Sequence, residues 1–263
     1  MVLIAFLIKP LIVKQDKNIY SDKGNDMTQH HFTGFTSQTV GFLRDLAINN
    51  NKDWFEAHKD TFITHLQTPA VALVEALGSQ LQAKFPEIHY DVRPNGRGSL
   101  MRMNRDVRFS TDKSPYKTNL AMMFNDKSGG KMESPAFGLQ ITPEHVDLVA
   151  GVFQFTRDDF NKYRLVIDET QAGAELDQIV ADIKAMKGYE LGGETYKRVP
   201  KGYDTQHPHA HWLKFTGLYV TVVPLSHDII YTADFVEIVM SHFMNMSLIY
   251  TWLQKYLRNE NPI

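Results

Sequence analysis

The chain contains no cysteine. That excludes disulfides, thiol nucleophiles and cysteine-ligated metal centres, and it suits a cytoplasmic protein. A glycine-rich phosphate loop is also missing. Pro94-Asn95-Gly96-Arg97-Gly98 holds a lone G-x-G without a third glycine and reads as a flexible loop. Neither a G-x-S-x-G elbow nor a His-Glu-x-x-His pair occurs. No apolar run reaches the roughly 20 residues that cross a bilayer. The nearest, Val2 to Val13, is interrupted by Lys9 and Pro10. It also lacks the basic lead and small-residue cleavage site of a signal peptide. Internal repeats and low-complexity tracts are absent. Net charge is small, −2 over 263 residues, so bulk charge gives no reason to expect nucleic-acid binding.

The charge is unevenly spread. Arg93 to Lys117 contains seven Lys/Arg and two Asp/Glu, a local +5 that leaves −7 for the rest. Within it, Arg105 to Lys117 reads R-D-V-R-F-S-T-D-K-S-P-Y-K. A core element cannot carry so many ionisable groups, because each buried charge needs a partner. Arginine suits planar, bidentate recognition of phosphate or carboxylate. The stretch is therefore the leading candidate for a binding surface.

Along the chain, Val2 to Asp26 differs in character from the residues after it, and Met27 is the expected true start. Residues 1–26 then form an extension and 30–260 a single α+β domain. Thr36 or Ser37 caps a first helix carrying Val40, Phe42, Leu43 and Leu46. Asn51 caps a second with Trp54, Phe55, His58 and Phe62. Thr68-Pro69 starts a third with Val71, Val74, Leu77 and Leu81. Ser99 to Asn104 alternates weakly and is expected as a strand. Thr118 to Phe124, Ala136 to Ile141 and Val146 to Phe153 form an antiparallel meander, with a hairpin turn at Asp126 to Lys131. Two helices come next, from Asp158 and around Leu176 to Met186, ended by Gly188 and Gly192-Gly193. Tyr196 to Tyr203 is irregular and basic. A short helix is expected in His207 to Phe215, a strand at Leu218 to Val223, and a long apolar helix capped by Thr232.

Three stretches, F-L-R-D-L-A-I-N-N-N-K-D-W-F-E-A-H-K (Phe42–Lys59), R-M-N-R-D-V-R-F-S-T-D-K-S-P-Y-K (Arg102–Lys117) and R-V-P-K-G-Y (Arg198–Tyr203), carry a resemblance. Together they resemble the domain of unknown function 2461 family of hypothetical proteins from bacteria and fungi, over nearly all of Phe35 to Leu257. The resemblance implies one soluble α+β domain and no activity or cofactor.

The residues support two chemical readings and a non-chemical one. In the first, Arg102, Arg105, Arg108, Lys113, Tyr116 and Lys117 converge on a small anion. Trp54, Arg198 and Lys201 are secondary candidates, the last two as a second basic wall. In the second, His207, His209 and His211 ligate a metal, since alternate residues of an extended segment share a face. The third makes the motif a lattice, its cations neutralised by Asp106, Asp112 and acids from the helices. It leaves the protein an interaction partner, monomer or homodimer. Nucleic acid is disfavoured because the basic run is short.

Overall fold

Three short alternating segments after Lys117 build the centre of the fold. The computed structural model describes residues 31–126 and 130–258. The expectations for residues 1–26 and the middle of the Asp126–Lys131 turn fall outside them. Strands β1 (Leu120–Asn125), β2 (Ala136–Ile141) and β3 (Val146–Val152) form the expected meander. Its register sets Leu120 opposite Ile141 and Ile141 opposite Val146. Two later strands, β4 (Tyr189–Glu194) and β5 (Phe215–Val222), complete an antiparallel sheet of order β1-β2-β3-β5-β4.

Period-two alternation sends Met122, Phe124, Phe137, Leu139, Leu148 and Val220 to one face, where all are buried. That face receives α7 (Phe235–Leu253), which packs across β3 and β5. Phe137 meets the rings of Phe243 at 5.2 Å and Tyr250 at 4.7 Å. Truncating so buried an aromatic costs about 3–5 kcal/mol. The helices and sheet together make an α+β fold.

The N-terminal helices are α1 (Ser37–Ile48), α2 (Lys52–Ala57), the short α3 (Lys59–Phe62) and α4 (Thr68–Lys84). Asn51 caps α2 as expected, its Oδ1 accepting from the Trp54 N–H at 2.9 Å. Thr68-Pro69 opens α4 with proline in the first turn, as expected, but Thr68 is no cap: the chain enters the helix from a π turn, Ile63–Gln67, in which the Thr68 N–H bonds to Ile63 O. Proline supplies no N–H and crowds the preceding turn, and a π bulge makes room for it.

Three other local expectations differ. Ser99 to Asn104 forms no strand: only isolated bridges, Leu100 with Met122 and Asn104 with Tyr116, tie it to its neighbours. The Gly192-Gly193 pair does not merely break a helix. It sits inside β4, where Gly193 (φ 109°) belongs to a bulge. Thr232 ends a 3₁₀ turn, His227–Tyr231, and does not cap α7, whose N-cap position is taken by Asp234. Between β3 and β4 lie α5 (Arg157–Asp168) and α6 (Thr170–Ala185). Among the described residues no helix is long and apolar enough to cross a membrane.

The sheet register fixes where the basic segments lie. The strand ends at Leu120, Ile141, Val146 and Val222 share one edge of the sheet, and the 103–117 segment leads into it. Glu194 pairs with Phe215 at the opposite end, where the chain continues toward Lys197.

Candidate functional site

The motif is a loop closed at its base by backbone. The Arg105 N–H bonds to Pro115 O at 2.8 Å and the Lys117 N–H to Met103 O at 2.7 Å. Asn50, from the N-N-N turn after α1, fastens the same base. Its Nδ2 donates to Tyr116 O and its Oδ1 accepts from the Tyr116 N–H, both at 3.0 Å. The Tyr116 ring is buried and stacks on Phe55 at 4.1 Å with 15° between planes. Tyr116 thus anchors the loop to α2 and leaves no open face for a ligand.

Inside the loop, most charges answer one another. Arg108 forks onto Asp106, with Nε at 2.9 Å and Nη2 at 2.6 Å. Arg105 pairs with Asp112, and Lys113 Nζ donates to Val107 O at 3.0 Å. The Arg108 bonds pull the Asp106 carboxyl down to about 2. Hydrogen bonds from Ser114, then the Arg105 guanidinium, hold Asp112 well below the usual range. These carboxylates are solvent-exposed, so the pairs define the loop's shape more than they stabilise the protein.

Two motif cations stand outside this lattice. Among the described residues, neither the Arg102 guanidinium nor the Lys117 ammonium has a hydrogen-bonding or ion-pairing side-chain or backbone partner. Lys117 is partly buried, and burial, then the Arg102 and Lys131 charges, lower its pKa. Lys131 donates to Gly98 O and, at 3.4 Å, to Gly96 O. Burial lowers Lys131 as well, opposed by Asp91. Gly96 takes φ +76° and lies so close to Arg102 that a Cβ there would sit 2.6 Å from the Arg102 Cβ. The Gly96 turn therefore props Arg102, and Lys131 fixes the turn.

A cleft of about 690 Å³ adjoins this cluster through Arg97 and Lys131. Asp91, Arg93, His89 and Tyr90 also line it. Asp91 is held down by its Arg93 hydrogen bonds, so this pair neutralises itself. The Arg97 side chain, like that of Arg102, makes no hydrogen bond or ion pair among the described residues; only its backbone N–H is engaged, by Asn95. Arg97, Lys131 and Asn50 were not singled out from the sequence. Arg97 and Lys131 sit in glycine-containing turns that signal mobility more than chemistry, and Asn50 looks like a helix terminator.

The remaining candidates fall elsewhere. Trp54 packs 5.3 Å from Phe42 and stacks on His58 at 4.1 Å, as part of the aromatic core under the loop. Arg198 and Lys201 are exposed and belong to the opposite end of the sheet, beside α5, where Tyr203 faces Arg164. They form no second wall for Arg102. His209 and His211 both turn to Asp177 of α6, at 2.6 and 3.2 Å, and Trp212 Nε1 donates to the same carboxylate at 2.9 Å. His207 accepts from the His209 N–H. His209, His211 and Trp212 together pin a 3₁₀ turn, Ala210–Lys214, to α6. Among the described residues no group of three or more His, Asp or Glu side chains is arranged to hold a metal ion.

Comparison with curated proteins gives no match. The family comparison covers most of the chain: conserved hypothetical proteins, DUF2461, match residues 38–252, a span that takes in the Asn50 clamp, the whole loop and the His209–Asp177 anchor. The chain belongs to the DUF2461 family of conserved hypothetical proteins.

Proposed function

We propose that this protein recognises a small phosphate- or carboxylate-bearing molecule at Arg102 and Lys117, flanked by Arg97 and Lys131. The observation that carries the reading is Lys117. A partly buried ammonium without a partner among the described residues, beside two further cations, is in an unfavourable place. An anion reverses the sign of that interaction. Arg102 offers a planar fork and Lys117 a point charge, a pairing suited to a tetrahedral or carboxylate oxygen set. The adjoining cleft is within the size range of small-molecule sites.

The paired part of the motif favours a second role for the same loop. Arg105, Arg108, Lys113 and Tyr116 act as frame, holding the two open cations in position. Asp106 and Asp91 lie near the cations of the site, the first felt by Arg102 and the second by Lys131. That disfavours an extended nucleic-acid backbone and leaves room for a compact anion. We place the protein in the cytoplasm, a setting with which a chain lacking cysteine is compatible.

The test is a melting experiment with inorganic phosphate, pyrophosphate and citrate, each against sodium chloride at matched ionic strength. Binding at a hundredfold excess over Kd raises the melting temperature by roughly 5 °C or more. Equal melting in all four salts refutes the reading.

A further inference from the structure

We infer that Lys117 is a carbonyl-condensing lysine, whose amine forms an imine with an aldehyde or ketone bearing a phosphate or carboxylate held by Arg102. The inference rests on the anion reading above and names the substrate class of that site.

The geometry sets Lys117 apart from other lysines. Among the described residues, the partly buried lysines are Lys59, Lys117, Lys131, Lys162 and Lys214. Lys59 pairs with Glu56 and Lys214 with Glu194. Lys131 donates to Gly98 O, and Lys162 to Leu257 O at 3.1 Å. Lys117 alone of the five has no such acceptor. Its backbone is nonetheless fixed, by Met103 O at one side and by the doubly bonded Tyr116 at the other. A rigidly based amine with no acceptor among the described residues, in a cluster of cations, is the arrangement that raises the share of the neutral, nucleophilic form. The lowered basicity of Lys117 agrees with this.

The chemistry needs no cofactor. The nitrogen lone pair of the neutral amine adds to the carbonyl carbon, and the carbonyl π electrons move to oxygen, which takes up a proton. The carbinolamine then loses water, with its nitrogen proton released, leaving C=N. One carbonyl and one amine give one imine and one water, with no change of oxidation state. Arg102, beside the amine, binds the substrate's anionic group and brings the carbonyl to Lys117. Arg102 also adds positive charge that disfavours protonation of the amine.

Reductive trapping on the full-length protein tests this. The protein is treated near pH 7 with glyoxylate and sodium cyanoborohydride, and every lysine is followed by peptide mapping. An adduct adds the mass of glyoxylic acid less one oxygen. Lys117 is expected to label at least about tenfold faster than the exposed Lys197 and Lys201. Pyrophosphate should slow it. With formaldehyde, which lacks a carboxylate, the preference should shrink. Arg102→Gln should slow Lys117 labelling by glyoxylate most. Pyrophosphate binding together with Lys117 labelling no faster than Lys197 overturns the inference and leaves the anion reading standing. Failure of pyrophosphate, phosphate and citrate to bind at all overturns the reading, and with it the anionic substrate class.

Discussion

The side chain of Asn50 pairs with the backbone of Tyr116 as a neighbouring strand would, donating to its carbonyl and accepting from its N–H, both at 3.0 Å. This contact joins the turn after α1 to the base of the charged loop, 66 residues along the chain. It explains why two separate sequence stretches serve one structure.

Asn50→Ala removes both bonds and leaves the Tyr116 backbone groups without these partners. The expected loss of stability is about 2 kcal/mol. Amide exchange in Val107 to Ser114 should accelerate beyond the rise at other exposed loops. Urea denaturation and hydrogen exchange measure the two effects; an unchanged loop exchange rate would show that Asn50 does not hold the base.

How much of the fold and site is legible in the sequence depends on the range of the interactions. The meander, β5, α1 and α4 are legible because local periodicity specifies them; the second expected helix is broken at His58 into α2 and α3. β4 is not, since Gly192-Gly193 reads as a helix breaker and its bulge is stabilised only by pairing with β5. The basic motif is legible as charge. Its division into a locked part and an open pair is not, because it depends on which carboxylate each cation reaches. Asp106 and Asp112 are near in sequence to their partners, whereas Lys131 meets Lys117 and Arg102 only through the fold.

Gly173 of α6 lies against the His209 ring so closely that an added Cβ has no space. Gly173→Ala therefore opposes a helix-propensity gain of about 1 kcal/mol with an overpacking cost of roughly 1–3 kcal/mol. The expected net effect is destabilising. On a His209→Ala background the sign should reverse. A thermal or urea double-mutant cycle reads this directly, and additivity of the two substitutions would contradict the packing account.

Asn245 donates to the Tyr189 hydroxyl, which also hydrogen-bonds Nδ1 of His242 at 2.7 Å. Burial lowers the His242 pKa below the ordinary 6.5. The unfolded chain binds the proton first as pH falls. The His242 contribution is thus full above about pH 6.5 and is lost as pH drops through the folded value. Urea midpoints from pH 8 to pH 5 should decline more steeply in the wild type than in His242→Gln. Parallel slopes would remove His242 as the cause.

Asp106 titrates in the other window. With its carboxyl drawn down to about 2, the Arg108 fork is intact above the ordinary carboxylate range and is lost as pH falls toward 2. Because the pair is exposed, global stability should barely change. The Val107 and Phe109 amide resonances should instead shift with an apparent pKa near 2. A midpoint near 4 would mean the fork is not formed in solution.

The most direct measurement of the central claim is calorimetric titration of pyrophosphate into four proteins: wild type, Arg102→Gln, Lys117→Gln and Arg108→Gln. A charge-assisted hydrogen bond contributes about 1.5–3 kcal/mol, so each of the first two substitutions should weaken binding by roughly 10- to 100-fold. Their melting temperatures should stay near the wild-type value, since neither side chain has a hydrogen-bond or ion-pair partner among the described residues. Arg108→Gln, in the framing pair, should bind within about threefold of wild type. Equal weakening by all three substitutions, or no binding to the wild type, would contradict the division of the loop into a frame and an open anion site.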